Sequence, residues 1–200
     1  MMKKNSGFTL IELVIVIVIL AILAVTALPR FIDTADDAQF SKNQAVAAAF
    51  EQGVKGTQLL WEVAGRPGNN GSNQNGPQVE YDGTLVTVDA DTGWPVGAAG
   101  RDTGVNINNS ADCLTVFTDI MSTNMTVIDR VNGNNPTAEN RALADILATR
   151  TNDNTNGDQC NYYLIEAIPS EDNNPAEGIP VEYMGFSYNA ETGQVSTFRF

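Results

Sequence analysis

The sequence predicts an α+β fold in which a long N-terminal α-helix packs on a C-terminal antiparallel β-sheet. Within residues 29–64, Val46, Phe50, Val54 and Trp61 recur at helical spacing, which indicates one buried helix face. The C-terminal residues instead alternate apolar and polar positions, which is typical of strands with one buried face. A sheet of that kind needs a cover for its apolar face, and the helix stripe is the best candidate.

An apolar run, residues 8–28, precedes the amphipathic stretch. It holds fifteen residues of Phe, Leu, Ile and Val, with Glu12 as its one charge. At about 1.5 Å per residue its 21 residues span roughly 31 Å, the thickness of a bilayer core. The apolar residues contribute about −7 kcal/mol to insertion, against about +3 kcal/mol for a central charge. We therefore expect a transmembrane helix, with Lys3 and Lys4 holding its amino end in the cytoplasm. Pro29 follows the run and is expected to kink the helix.

The remaining residues, 65–200, are sufficient for one extracytoplasmic domain with its own core. Turn residues and apolar spacing predict its elements. In order, these are a loop at 65–77, a hairpin around Asp82-Gly83, a helix capped by Ser110 that carries Leu114, Phe117 and Met121, a helix from Pro136 and Thr137 through Leu143 and Leu147, a strand with Tyr162, Leu164 and Ile168, a strand with Met184, Phe186 and Tyr188, a turn at 191–193, and a strand with Ser196, Phe198 and Phe200.

Cys113 and Cys160 are the only cysteines. Exported compartments are oxidising, so we expect a structural disulfide. It would close a loop of about 48 residues and contribute roughly 4 kcal/mol to stability. The chain has no histidine and no CxxC motif, so zinc and histidine-based catalysis lack their usual ligands. We predict neither an enzyme nor a cofactor.

The formal net charge is −13, and loss of Lys3 and Lys4 would change it to −15. Such an acidic chain disfavours nucleic acid and anionic lipid headgroups as ligands. Two oxygen-rich stretches, residues 89–93 and 152–158, fit either calcium or turns. The second has Tyr163 where an EF-hand needs glutamate, so we favour turns at both.

The residues KNSGFTLIE at 4–12, followed by the apolar run and Pro29, resemble the signal of type IV prepilins. The resemblance implies that residues 1–7 are a leader. A prepilin peptidase would cleave between Gly7 and Phe8 and methylate the new amine of Phe8. The signature covers the first third of the chain.

A narrower resemblance rests on residues 19–31, 81–83 (YDG) and 93–95 (GWP). These look like the mannose-sensitive haemagglutinin (MSHA) branch of type IV pilins. The resemblance implies a subunit that waits in the inner membrane. The pilus assembly machinery would then extract it into a homopolymeric surface filament that serves attachment.

Glu12 has a physical role to fill in such a filament. An unpaired carboxylate among packed apolar helices is costly. The new amine of Phe8 in a neighbouring subunit would neutralise it and set the register between helices, which we state as a hypothesis.

Other interpretations of the N-terminus remain open. An ordinary secretory peptide could be cut after Ala27, or the segment could be a plain membrane anchor. Within the resembling family, a minor pilin or a type II secretion pseudopilin acting as a periplasmic piston fits the same signal. A membrane-anchored binding module is the alternative from a different class.

Overall fold

The computed structural model describes residues 8–68, 76–97, 107, 109–129, 142–153, 157–168 and 183–199, without the side chains of 27–35, 152–153, 157–158 and 167. The chain divides into two units, residues 1–41 and 42–200. Helix α1, Leu10–Val63, contributes residues to both.

The first unit consists, in its described part, of the beginning of α1 and the two residues before it. The helix begins at Leu10 and passes through position 29. No glycine or proline interrupts residues 10–25, although nine of these sixteen residues are Val or Ile, which rank below Leu and Ala as helix formers. Helical backbone at position 29 does not by itself test for a bend, so the kink at Pro29 stays a prediction.

The second unit combines the C-terminal part of α1 with a second helix and two sheets. Its elements are β1 (Gln78–Tyr81), β2 (Thr84–Thr87), α2 (Ser110–Ile120), β3 (Val127–Asp129), β4 (Ile146–Asp153), β5 (Gly157–Leu164), a 3₁₀ helix (Ile165–Ala167), β6 (Gly185–Asn189) and β7 (Val195–Phe198).

The strands β1 and β2 form the predicted hairpin. Asp82 and Gly83 connect them with φ of 48° and 79°, the left-handed geometry that suits a tight hairpin turn. Tyr81 pairs with Thr84 across that turn. The prediction of this hairpin is confirmed.

The larger sheet has the order β3-β4-β5-β6-β7. Its last three neighbouring pairs are antiparallel, whereas β3 lies parallel to β4. The sheet is thus mixed, and the antiparallel prediction fails at this one edge. The α+β fold with an N-terminal helix packed on the sheet is confirmed.

The helix packs on the sheet through the predicted stripe. Phe50, Val54 and Trp61 are buried, and Val46 is half-buried. The Phe50 ring lies 5.2 to 5.8 Å, between centroids, from four other aromatic rings. They belong to Phe117 of α2, Tyr162 of β5, and Phe186 and Tyr188 of β6. This aromatic cluster joins both helices to the middle of the sheet.

The prediction of a helix through Leu143 and Leu147 is wrong at its C-terminal end. Leu147 lies in β4 and is buried, whereas Leu143 is exposed. Their spacing of four residues imitates a helix face. Residues 146–148 are all buried because both faces of β4 are covered, one by α2 and the other by the cluster of Leu147, Tyr163, Ile168 and Tyr183. The result is a continuous apolar run that fits helix or strand equally. The predicted start, at 136–137, falls outside the described residues.

Smaller corrections concern element ends. Asn109 rather than Ser110 caps α2, because its side-chain oxygen accepts the Asp112 amide at 3.1 Å. Met121 lies just past the end of α2 and is half-buried, as is Leu114.

The predicted third-from-last strand also ends early. Ile168 follows the 3₁₀ helix rather than lying in β5. Met184 immediately precedes β6. Phe200 falls outside the described residues.

Candidate functional site

The N-terminus of α1 is closed by reciprocal hydrogen bonds between Thr9 and Glu12. Thr9 is the N-cap, because its carbonyl accepts the Leu13 amide at 3.3 Å. The Thr9 amide and hydroxyl donate to Glu12 Oε2 at 2.8 and 2.7 Å, and the Glu12 amide donates to Thr9 Oγ1 at 3.4 Å. This arrangement is a capping box. The Thr-x-x-Glu spacing indicates a capping box in the sequence. The predicted role of Glu12 considered only contacts between subunits and did not include this local bond.

The capping box uses one oxygen of the Glu12 carboxylate. Both bonds from Thr9 reach Oε2, and within the described residues Oε1 accepts no hydrogen bond. The side chain is exposed. Thr9 therefore holds the carboxylate in place while Oε1 is available to an N–H donor from elsewhere.

The surface around this carboxylate is apolar on every side. Fourteen large apolar side chains between Phe8 and Val25 are each at least 40% exposed. A helix that is apolar all round is normally buried by lipid or by protein. No helix within the described residues is long and apolar enough to cross a membrane. The described chain supplies no cover for these side chains.

Of the two residues at the predicted cleavage site, the structure describes Phe8 but not Gly7. Phe8 is 89% exposed and precedes the helix. Gly7 and the rest of the predicted leader lie outside the described residues. Cleavage at this bond and methylation of Phe8 stay predictions.

The cysteines form the predicted disulfide. Cys113 of α2 bonds to Cys160 of β5, with Cα atoms 5.3 Å apart, and both residues are fully buried. Two residues after Cys160 in β5, the Tyr162 hydroxyl donates to the Cys113 carbonyl at 2.8 Å. Burial raises the pKa of Tyr162 well above its usual value. The disulfide and the hydroxyl together fasten α2 to the central strand.

Within the second unit, two polar residues of α1 bind to the sheet region, and neither was predicted. Asn43 is fully buried and donates from Nδ2 to the Gly185 carbonyl at 2.7 Å, while its Oδ1 has no hydrogen-bond partner among the described residues. The adjacent Lys42 pairs with Glu166 at 3.0 Å on the surface. Asn43 lies seven residues before Phe50, on the same helical row, so the spacing of the stripe was the signal.

The stretch at residues 89–93 is a turn. Asp89 Oδ1 accepts hydrogen bonds from the amides of Asp91 and Thr92 and from the Thr92 hydroxyl. That oxygen is therefore occupied by the chain itself. In the second oxygen-rich stretch, Asn152 pairs with Asp158 across the β4–β5 connection, and residues 154–156 lie outside the described residues.

Comparison with known proteins identifies the N-terminal segment. Residues 2–28 match the model of the prokaryotic N-terminal methylation motif. No curated protein and no solved structure matches the chain. The match supports a type IV pilin-like or pseudopilin-like protein. The family that carries this motif is structural rather than enzymatic, and the motif implies processing by a prepilin peptidase.

Proposed function

We propose that this chain is the structural subunit of a type IV pilus, of the MSHA-like branch. Its leader is removed between Gly7 and Phe8, and the new amine of Phe8 is methylated. The subunit resides in the inner membrane through residues 8–28. The assembly machinery then transfers it into a surface filament, where it packs against copies of itself.

The observation that carries this proposal is the exposed apolar surface of residues 8–25. Its fourteen large apolar side chains have no cover within the described chain. Lipid can cover them first and neighbouring helices afterwards, because both surroundings are apolar. The methylation motif covers the same segment, which supports a processed, self-assembling helix over a permanent anchor.

The geometry of Glu12 suits pairing between subunits. Thr9 holds Oε2, so the carboxylate can accept a neighbour's amine at Oε1 without breaking the capping box. A charge-assisted hydrogen bond of this kind is stronger than a neutral one. Cleavage would create the required amine at Phe8. The leader and Glu12 would thus act together.

The second unit is proposed to face the exterior of the filament. Residues 65–77 and the region between Cys113 and Cys160 would contribute to that surface. The acidic composition keeps such a repeated surface soluble. Attachment to surfaces or hosts is the proposed role of the filament.

The first experiment is mass spectrometry of protein sheared from the cell surface. We expect a mature chain that begins at Phe8, lacks residues 1–7 and carries one added methyl group. A chain that begins after Ala27 would show an ordinary secretory signal. An intact leader would show a permanent membrane anchor. Either result would overturn the proposal.

Immunoelectron microscopy separates the family members. Antibody label along the whole filament is expected for the main subunit. Label confined to filament tips would indicate a minor pilin. If no filament is labelled and the protein is found in the periplasm, it is a secretion pseudopilin.

A Glu12 variant tests the pairing. Glu12→Gln keeps the size of the side chain and one oxygen for the capping box, but it replaces the other oxygen with an NH2 donor and removes the charge. We expect far fewer filaments with unchanged membrane levels of the subunit, measured by counting filaments and by immunoblot of membranes. Glu51→Gln is the control, because Glu51 is an exposed partner of Lys55 on the same helix. Normal filament numbers in Glu12→Gln cells would rule out the pairing.

A further inference from the structure

Two turns in the second unit share both sequence and hydrogen bonding. Residues 89–93 read DADTG and residues 189–193 read NAETG. In each, the first side chain accepts the amides of the third and fourth residues, at 3.0 and 2.7 Å in the first turn and 2.9 and 3.0 Å in the second. Each glycine amide donates back to the carbonyl of the first residue at 2.9 Å. The chain thus builds the same turn twice.

A tryptophan supports each turn from one side. Gly93 lies on the ring of Trp61, and Gly193 lies on the ring of Trp94, so closely that a Cβ atom at either glycine would collide with the ring. Both glycines also have positive φ, 77° and 69°, which other residues adopt reluctantly. The backbone of the second turn therefore packs directly against Trp94.

The second turn borders a surface groove with a volume of about 340 Å³. The strands β5, β6 and β7 form its floor, where Gln159 lies opposite Asn189 and Ser187 opposite Ser196. The lining consists of three primary amides, three hydroxyls and the carboxylate of Glu191. The first turn does not line this groove.

The chemistry of the lining selects a hydrophilic cation. Ligand sites of this size are usually apolar with a few polar groups, but the described lining contains no apolar, aromatic or cationic side chain. Its only charge is Glu191, in a chain whose net charge of −13 attracts cations. A protonated primary amine has three donors and no acceptor. The Glu191 carboxylate is the main acceptor that the amine needs, and the side-chain oxygens of Gln159, Gln194 and Ser196 lie around it. Asn189 Oδ1 is already used by the two turn amides.

We propose that this groove binds a protonated primary amine carried on a small polar ligand. An amino sugar and a polyamine are the two sources of that chemistry. The site belongs to the folded second unit and does not depend on filament formation. Because Glu191 is exposed, each single site is expected to bind weakly.

The first turn supplies a matched control. Asp91 occupies the position in the first turn that Glu191 occupies in the second, and it is likewise exposed. Glu191→Gln and Asp91→Asn change the net charge equally, but only Glu191→Gln alters the groove. The Glu191 side chain makes no turn hydrogen bond; its backbone amide does. The substitution should therefore leave the fold intact.

The test is an NMR titration of the ¹⁵N-labelled full chain in polyoxyethylene micelles at constant ionic strength. Glucosamine and putrescine are the amine probes, and glucose and 1,4-butanediol are their neutral counterparts. We expect shifts in the amides of residues 187–196 with at least one amine and much smaller shifts with its counterpart. Binding of glucosamine alone would identify the amino sugar, and binding of putrescine alone the polyamine.

The variants decide whether the groove is responsible. We expect Glu191→Gln to weaken amine binding by about fivefold, the upper range for one exposed ion pair, and Asp91→Asn to leave it unchanged. Equal weakening by both variants would show that overall charge attracts the amine. Glucose binding as tightly as glucosamine, or neither amine shifting residues 187–196, would also overturn the proposal.

Discussion

Replacing Phe50 with alanine tests the packing of α1 on the sheet. Phe50 is fully buried, and its ring lies within 5.8 Å, between centroids, of four aromatic rings from α2, β5 and β6. The substitution leaves a cavity where both helices meet the sheet. No other single side chain of the helix stripe has as many ring contacts among the described residues.

The expected decrease in the free energy of unfolding follows from this packing. A buried Phe→Ala change costs about 3 to 5 kcal/mol through lost transfer energy and the cavity. Each aromatic pair adds about 0.5 to 1.5 kcal/mol, although the four pairs share one ring and do not sum. We therefore expect the upper part of the range, about 4 to 5 kcal/mol. In a domain of this size that corresponds to a fall in Tm of about 10 °C or more.

The assay is urea unfolding of the full chain in polyoxyethylene micelles, followed by tryptophan fluorescence. Both tryptophans, Trp61 and Trp94, lie in the second unit and report on it. Leu59→Ala is the matched control, because Leu59 is on the same helix but 61% exposed, and it should change stability by less than about 0.5 kcal/mol. A loss below about 1 kcal/mol for Phe50→Ala would refute the packing described here.

Three further predictions follow from the same contacts. Thr9→Val breaks the capping box and should reduce filament counts in electron micrographs, while Thr9→Ser should preserve them; equal counts would contradict a positioning role. Replacing both Cys113 and Cys160 with alanine should lower the free energy of unfolding in the urea assay by about 4 kcal/mol. A decrease under about 1 kcal/mol would contradict stabilisation by closure of the loop between the two cysteines. Burial raises the pKa of Tyr162 and Tyr188 well above 10, so both stay protonated in the folded chain while the unfolded chain loses these protons near pH 10. Stability should therefore fall above about pH 10 by roughly 2.7 kcal/mol per pH unit, and a flat profile between pH 10 and 11 would show that these hydroxyls are not buried.

Local patterns predicted much of the second unit. The Asp82-Gly83 turn, the α1 stripe and the turn at residues 191–193 are all confirmed. Each depends on side chains within a few residues of one another, so short-range geometry decides it. The sequence signal for the capping box at Thr9 was equally local, although the prediction for Glu12 did not use it.

Predictions failed where burial on both sides removed the pattern. Both faces of β4 are covered, one by α2 and the other by the cluster that contains Leu147, so the apolar run at residues 146–148 carries no period. Asn43 was overlooked because a buried amide looks like a break in an apolar stripe until its bond to the Gly185 carbonyl is seen.

The sequence by itself determined the features that predict N-terminal processing: Lys3 and Lys4, the Gly7–Phe8 junction, the apolar run and the position of Glu12 within it. These features are contiguous, and their chemistry follows from residue order alone. Only the tertiary structure decided that β3 runs parallel to β4. It also decided that residues from three strands and one turn meet in a polar groove around Glu191. Those outcomes depend on contacts between residues far apart in the chain, which strand order and register bring together.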